Sequence, residues 1–399
     1  MNPGICVNWP DPNSLRRSMK LLASSPPLVS HRHVQLLHQE LADVAIGNAM
    51  VLQGGDCAES FESNNLSYIA GQVELLTELA DVFREMGSRV VPIVRGAGQY
   101  FKPRSSDYER LPSGIRVLKY RGDGVNGHRA IDSLRTPDAH RLVEAYCNSR
   151  RTLQYMQRLD ALARAERGAA YVSHEALLTE YEQPLTRRIP ALGQMYSGST
   201  HFPWIGVRSN SPFGPQVCWA SNIVNPLGVK IGPNTSEDQI LTLAERLDPL
   251  RTLGRLTLIV RLGAASMAER LPRMIRVVKE AGWTPIWMCD PMHGNSIIRS
   301  CDGVRTRALT AIIEELRTFF EIHFSIGTHA AGIHLELTHQ PVTECVRTCS
   351  EIETTQLTDY RSLGDPRLNG YEARNVILSI RDLVGNRPSK GASDIHWKR

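Results

Sequence analysis

Eight short apolar runs, rich in β-branched and aromatic residues, alternate along the chain with longer stretches of helical periodicity. The runs are AMVLQGG, RVVPIVR, AAYVSHE, HFPWIGVR, PLGVKIG, LTLIVRLG, TPIWMCD and AGIHLEL. The stretches between them include the amphipathic segments SYIAGQVELLTELADVFREMG, SEDQILTLAERLD and RALTAIIEELRTFFEIH. Strand-like runs that alternate with helical segments are typical of βα units. Eight such units predict an α/β fold of the (β/α)8 or TIM-barrel type, with an open doubly wound sheet as the alternative.

A different pattern precedes the first run. Residues 1 to about 45 are polar and interrupted by prolines, and then become helix-like through SHRHVQLLHQELADVAIG. We therefore predict a short N-terminal helical extension at residues 1–45 and a barrel domain at residues 46–399.

Composition narrows the class of protein. A chain of 399 residues with 42% hydrophobic content has enough apolar side chains for a large core. The net charge of +5 is small and scattered, which favours anionic small substrates over nucleic acid. The eight cysteines form no CxxC pair, which indicates a reducing compartment. Without an apolar signal region or a run of roughly 18 apolar residues, we expect a cytoplasmic protein with no membrane partner.

Each predicted strand ends at, or just before, a residue that can take part in chemistry. In chain order these residues are Cys57, Arg95, His174 with Glu175, Arg208, Lys230, Arg261, Asp290 with His293, and Glu336. In a barrel, the carboxyl ends of all eight strands open on one face, where active sites lie. The pattern therefore predicts an enzyme whose site collects residues from most of the chain.

A metal site is one hypothesis for part of this set. Cys57 in LQGGDCAES, His293 in CDPMHGN, Glu336 in IHLEL and Asp365 in SLGDPRLNG offer sulfur, nitrogen and oxygen donors. Such a mixed set suits a divalent metal with room for a substrate oxygen. Structural readings also exist, because a buried cysteine often packs as a small hydrophobe and an aspartate before proline often starts a turn.

Histidines near the last strand have a simpler interpretation. His329, His334 and His339 lack the i, i+4 helical spacing of a zinc-protease motif, and we interpret them as structural or supporting residues.

Basic residues indicate anion binding. The stretch RGAGQYFKPRS carries Arg95, Lys102, Arg104 and Ser105, with glycines that let backbone amides approach a ligand. Arg208, Lys230 and Arg261 each end an apolar run. Guanidinium and ammonium groups suit phosphates and carboxylates, although a salt bridge would explain any one of them alone. With a metal, they predict a lyase or transferase acting on phosphorylated metabolites, and phosphate-ester hydrolysis is the alternative.

Motifs in a fixed order carry a family resemblance. They are LQGGDCAES, RGAGQYFKPRS, YRGDGVNG, VSHEALL, WIGVRS, NPLGVKIGP, RLTLIVRLG, CDPMHGN, GIHLELT, VTECV and DPRLN. After residue 45 the chain resembles type II 3-deoxy-D-arabino-heptulosonate 7-phosphate (DAHP) synthases, especially the short secondary-metabolism members found in clusters such as phenazine biosynthesis. The resemblance implies a TIM barrel that condenses phosphoenolpyruvate with erythrose 4-phosphate. The resemblance thus implies the first step of the shikimate pathway, and we expect this step to feed a specialised-metabolite cluster.

The resemblance also implies residue roles. It assigns a divalent metal (Mn, Co or Zn) to Cys57, His293, Glu336 and Asp365. It places Arg95 and Lys102 at the phosphoenolpyruvate carboxylate, Arg208, Lys230 and Arg261 near its phosphate, and Arg104 with Ser105 at the phosphate of the aldehyde. Lys230, Arg208 and His293 are the candidate catalytic residues. A homodimer or higher homo-oligomer is implied in the same way.

One segment departs from the family pattern. Where the family reads WIGERT, this chain reads WIGVRS, so Val207 replaces a glutamate near phosphoenolpyruvate. The departure leaves open a related reaction with another aldehyde, such as an amino sugar phosphate. A catalytically silent homologue that acts as a binding partner is a third reading, which the complete set of candidate ligands argues against.

Overall fold

Eight parallel strands form a closed barrel in the computed structural model, which describes residues 6–104, 106–111, 114–163 and 171–385. Each strand pairs with the next along the chain, and the last pairs with the first. The strands are β1 Met50–Gly55, β2 Val90–Arg95, β3 Tyr171–Glu175, β4 Phe202–Ile205, β5 Leu227–Ile231, β6 Leu256–Val260, β7 Ile286–Cys289 and β8 Ala330–Glu336. The predicted (β/α)8 fold is confirmed, and the open-sheet alternative is wrong because β1 hydrogen-bonds to β8.

Helices surround this barrel. They are α1 Pro12–Ser24, α2 His31–Ala45, α3 Leu66–Glu85, α4 Asp132–Arg135, α5 His140–Ala163, α6 Thr179–Leu185, α7 Pro215–Ala220, α8 Glu237–Leu247, α9 Ala264–Glu280, α10 Leu309–Ile326, α11 Gly370–Leu378 and α12 Arg381–Gly385. Every residue of β1, β5 and β6 is buried, because the strands are covered by helices outside and by packed side chains inside. This two-sided burial explains why the strands appear in the sequence as continuous apolar runs.

Short β-hairpins lie in the loops between the elements of the barrel. Residues 108–110 pair with 116–118, residues 186–188 pair with 195–197, and residues 297–298 pair with 305–306. Single 3-10 turns occur at His293–Asn295 and Cys349–Glu351. The turn at His293 directly follows β7 and shapes one side of the barrel mouth.

The N-terminal segment folds as two helices, of which the sequence pattern indicated only the second. Helix α1 begins where Asp11 accepts a hydrogen bond from the Asn13 amide at 2.8 Å, and it buries Leu22 as its one large apolar side chain. Helix α2 buries Leu37 and Leu41 against the first residues of the barrel strands. It therefore closes the end of the barrel opposite to the carboxyl ends of the strands.

Among the described residues, none of the helices combines the length and the apolar character that a membrane crossing requires.

Candidate active site

Four polar side chains from distant segments meet at the carboxyl-terminal mouth of the barrel. The Sγ atom of Cys57 lies 3.4 Å from Asp365 Oδ2 and accepts a hydrogen bond from the Asp365 amide at 3.0 Å. Ligand atoms of Cys57, Glu336 and Asp365 all lie within 4.8 Å of one another. The Nε2 atom of His293 lies 3.1 Å from Glu336 Oε1. The structure therefore brings together all four candidate metal ligands, which we call the S/N/O cluster.

Glu336 tests whether this cluster fits a metal. It is fully buried, and its Oε1 atom lies 3.1 Å from both Arg95 and His293. Neither contact has hydrogen-bond geometry, so this oxygen has no hydrogen-bond partner in the described part of the chain. A thiol, an imidazole and two carboxylates are donors that borderline divalent ions accept. The donor set, and a buried carboxylate oxygen that accepts no hydrogen bond from the described residues, both fit a divalent metal.

The charges of the cluster are strongly coupled. Burial alone would raise the pKa of Glu336, but His293, Arg307 and Arg95 hold it well below its usual range. Burial and the Glu336 carboxylate raise the pKa of the Cys57 thiol to about 12. The buried Glu336 carboxylate therefore opposes ionisation of the thiol beside it.

Lys102 inserts its ammonium group into the cluster. Its Nζ atom hydrogen-bonds to Cys57 Sγ and lies 3.3 Å from Asp365 Oδ2. Burial opposes its charge, but Cys57 and Asp365 together raise the pKa of Lys102. Gly364 makes room for this arrangement, because a Cβ atom at this position would lie 2.9 Å from Cys57 Sγ. The predicted phosphoenolpyruvate residue Lys102 thus lies directly against two candidate metal ligands.

Two further cations lie deeper in the mouth. Arg95, the last residue of β2, donates from one terminal nitrogen to His334 Nε2 at 2.9 Å. Lys230 on β5 contacts Asp290 Oδ2 at 2.6 Å and His334 Nε2 at 3.3 Å. Both side chains are buried, and we call them the cation pair. Arg261, after β6, donates to the backbone oxygen of His293 at 2.6 Å and so supports the turn that carries that histidine.

The other predicted anion-binding residues are less central. Arg104 is half-buried and donates to the backbone oxygen of Tyr120 at 2.6 Å. Arg208 is exposed in the turn after β4, because that strand ends at Ile205 and not at residue 208 as predicted. Ser105 lies outside the described residues.

The turn after β4 also contains Val207, which stands where the family pattern has a glutamate. The Val207 side chain packs against Gly232, where a Cβ atom would lie 3.3 Å from it. The carboxylate of Glu175, at the end of β3, lies against the neighbouring Gly206. A carboxylate therefore remains beside this turn although position 207 lacks one.

Two buried residues that support the site were missed by sequence reasoning. Arg307 donates to Glu336 Oε2 at 2.7 Å and also to the backbone oxygen of Pro366. Glu315 on α10 accepts from the Leu262 and Gly263 amides at 2.9 and 2.8 Å. The only signal for either was a charged residue on or beside the apolar face of a helix.

Arg367 makes two salt bridges, which we call the Arg367 brace and which the sequence pattern did not indicate. It contacts Asp56 Oδ1 at 2.6 Å and Glu344 Oε1 at 2.7 Å. Because Asp56 precedes Cys57 and Arg367 lies two residues after Asp365, this brace links the two loops that carry these cluster members.

The fold and the site together define a barrel enzyme with buried cations beside a mixed donor cluster. The model of the Class-II DAHP synthetase family matches residues 4–167 and 157–380. The chain belongs to this family, whose members are transferases, and it is an enzyme.

Curated relatives have similar length. A "Probable phospho-2-dehydro-3-deoxyheptonate aldolase" of Pseudomonas fluorescens is 38% identical, over 93% of this chain and 92% of its own. A "Phospho-2-dehydro-3-deoxyheptonate aldolase" of Streptomyces coelicolor is 36% identical, over 94% of each chain. A solved structure of the aldolase of that name from Francisella tularensis has a TM-score of 0.55 at 16% identity, covers 93% of this chain and 97% of its own, and shows the fold alone.

Proposed function

We propose that this enzyme condenses phosphoenolpyruvate with erythrose 4-phosphate to give DAHP and phosphate. The observation that carries the proposal is the S/N/O cluster in contact with Lys102 and Arg95 at the barrel mouth. The names of the curated relatives, each a phospho-2-dehydro-3-deoxyheptonate aldolase, support the same reaction.

A divalent ion, Mn, Co or Zn, is the cofactor that we assign to Cys57, His293, Glu336 and Asp365. When bound, it would polarise the aldehyde oxygen as a Lewis acid. Metal binding would require Cys57 to lose its proton, and the thiolate with the two carboxylates would then carry three negative charges, which match the two positive charges of the ion and the one of Lys102.

The basic residues position two polyanions. We assign Arg95 and Lys102 to the phosphoenolpyruvate carboxylate, and Arg208, Lys230 and Arg261 to its phosphate. Arg104 and Ser105 would hold the phosphate of the aldehyde. Cationic groups around both substrates offset the repulsion between them and fix the carbon atoms that react.

Lys230 is the candidate for proton transfer. Burial lowers its pKa from the ordinary value of lysine, although Asp290 opposes this change. A lysine with a lowered pKa exchanges protons more readily near neutral pH. His293, which shares Asp290 with Lys230, and Arg208 complete the proposed catalytic set.

The test is phosphate release from phosphoenolpyruvate with Mn²⁺ or Co²⁺, with and without erythrose 4-phosphate. We expect release that depends on both the metal and the aldehyde, with DAHP identified by mass. No release with erythrose 4-phosphate, while phosphoenolpyruvate and metal still bind, would contradict the proposal and direct the search to other aldehydes because of Val207.

The biological setting is part of the same proposal. We propose a cytoplasmic homodimer or higher homo-oligomer of the short secondary-metabolism type, with residues 1–45 as an extension of the barrel domain. Light scattering after size exclusion measures the oligomer directly, and a particle at the chain mass of 44.5 kDa would contradict it.

A further inference from the structure

His334 lies between the two cations of the cation pair. It is fully buried on β8, and its Nε2 atom lies 2.9 Å from a terminal nitrogen of Arg95 and 3.3 Å from Lys230 Nζ. Arginine and lysine only donate hydrogen bonds, so Nε2 must be the acceptor. The imidazole is therefore oriented toward the two groups that the proposed function assigns to phosphoenolpyruvate.

A chain of hydrogen bonds behind His334 fixes which nitrogen carries the proton. Ser173 Oγ donates to the Val94 carbonyl at 3.0 Å, so it accepts from Gln53 Nε2 at 2.9 Å. The Gln53 amide is thereby oriented with its oxygen toward His334 Nδ1, at 2.6 Å. An oxygen there requires a proton on Nδ1, which leaves the Nε2 lone pair for the cations.

The acceptor between the cations carries no charge. A carboxylate at this point would hold Arg95 and Lys230 but would neutralise part of their positive charge. The ring of Trp204 also faces both cations, with centroid distances of 5.3 Å to Arg95 and 6.0 Å to Lys230. Each cation also has its own carboxylate partner, Asp290 at 2.6 Å from Lys230 and Glu336 at 3.1 Å from Arg95. Between the two cations, orientation thus comes from neutral groups.

We propose that His334, held in one tautomer by Gln53, is a positioning residue for phosphoenolpyruvate. It fixes the directions of the Arg95 and Lys230 side chains and keeps their charge available for the anionic substrate. The inference rests on the proposed function for the identity of that substrate, but it concerns binding and not the choice of aldehyde.

The experiment compares three changes at His334 in the metal-loaded full chain. His334→Leu removes the acceptor and should weaken phosphoenolpyruvate binding about tenfold. His334→Gln can place an amide oxygen near the Nε2 position and should stay within about threefold of the wild type. His334→Glu adds a charge between the cations and should weaken binding most. The matched control is His329→Gln, because His329 lies beside the other end of β8 and contacts the Ala49 carbonyl.

Binding of phosphoenolpyruvate is measured by calorimetry, and the KM of each substrate by phosphate release. We expect the KM of phosphoenolpyruvate to rise in the Leu and Glu variants while the KM of the aldehyde changes less than about twofold. A purely structural role would move both KM values together and would not be rescued by Gln. Equal phosphoenolpyruvate affinity in wild type and His334→Leu would overturn the inference.

The same measurements separate this inference from the proposed function. If the wild type binds phosphoenolpyruvate, loses that binding in His334→Leu, and yet turns over no erythrose 4-phosphate, the reaction is wrong and the inference stands. If the wild type does not bind phosphoenolpyruvate, both are overturned. Should His334→Leu fail to fold, Gln53→Leu tests the tautomer lock and should weaken phosphoenolpyruvate binding in the same direction.

Discussion

Buried cysteines of this chain differ in their neighbours and not in their burial. Cys289 lies within β7 in the apolar core, and Cys345 contacts only the Arg367 carbonyl at 3.6 Å among the hydrogen bonds of the described residues. Cys57 instead contacts Lys102 and Asp365 at the open end of the barrel. Direct hydrogen bonds to charged side chains therefore distinguish Cys57 from the other two buried thiols, for which the described residues show none.

We predict that Cys57→Ser weakens metal binding by at least about tenfold, because a thiolate is the softest donor of the S/N/O cluster. Metal content per chain after dialysis against a weak chelator measures the change. Cys289→Ala, which alters an equally buried thiol away from the cluster, should keep the wild-type content. Equal metal content in Cys57→Ser and wild type would exclude Cys57 as a ligand.

Arg307 and Glu336 form an ion pair in which both side chains are fully buried. We predict that Arg307→Met lowers the free energy of unfolding by about 3 kcal/mol, because it leaves a buried carboxylate without its closest cation. Urea unfolding measures the difference. Arg361→Met removes an exposed pair with Asp359, which water screens, and should change the free energy of unfolding much less. Similar losses in the two variants would show that Glu336 does not depend on Arg307.

Sequence reasoning selected residues at the ends of strands. We chose Cys57, His293 and Glu336 because a barrel brings all strand ends to one face, and the structure places these side chains next to one another. Their role as metal ligands stays a prediction. The contact of His334 with Gln53 was not predicted, because the two residues lie 281 positions apart and nothing within either motif marks them as partners. Local pattern identifies a residue's place on a strand, but it does not identify a partner on another strand.

At the scale of elements, helix α10 holds two loops of the active site through one buried residue. Glu315 accepts hydrogen bonds from Leu262 and Gly263 after β6, and from Asn295 in the turn after β7 at 2.6 Å. These loops follow Arg261 and His293. The outer helix thus orients the mouth without contributing a residue to it.

Burial raises the pKa of Glu315 to about 8, so the folded state binds this proton more tightly than the unfolded state does. The free energy of unfolding should therefore fall as pH rises from roughly 5 to 8, by about 1.4 kcal/mol per pH unit. Glu315→Gln should remove this part of the slope, which urea unfolding at several pH values measures. The exposed neighbour Glu314, changed to Gln, should leave the slope intact.

Helix α2 contributes to stability through its buried face. We predict that Leu41→Ala lowers the free energy of unfolding by about 2–5 kcal/mol, because it opens a cavity under the barrel strands. Leu36→Ala is the matched control on the same helix, since Leu36 is 43% exposed and Leu41 is fully buried. Thermal unfolding of both variants measures the two losses of stability. Equal losses would contradict the role of α2 in closing this end of the barrel.

The strands were predictable because both of their faces are buried, and several helices were predictable because only one of their faces is buried. All eight strands follow from apolar runs, and α3, α8 and α10 follow from amphipathic periodicity. Helix α1 was missed because it buries only Leu22 among its large apolar side chains, so its periodic signal is weak. The end of β4 was misplaced because the apolar Val207 extends the run beyond the last paired residue, Ile205.

At the scale of the whole molecule, the pairing of β1 with β8 closes the barrel. Gly55 of β1 lies beside Glu336 of β8, and Cys57 follows two residues later. A metal held by the S/N/O cluster would thus join the first and last strands of the barrel.

We predict that added Mn²⁺ or Co²⁺ stabilises the chain against unfolding, by about 2.7 kcal/mol at a hundredfold excess over the dissociation constant. Thermal unfolding with metal and with a chelator measures the shift in Tm. The Cys57→Ser variant should show a much smaller shift. An equal shift in both proteins would place the stabilising metal elsewhere.

The distance along the chain between Cys57 and Asp365, 308 positions, has a consequence for how the molecule acquires its activity. Contacts between residues so far apart form late, because the intervening chain must first be ordered. A nascent or refolding chain therefore gains its metal affinity only when the first and last strands of the barrel pair. Recovery of metal binding over time would therefore report the completion of the barrel. It should lag behind the recovery of the helical circular dichroism signal.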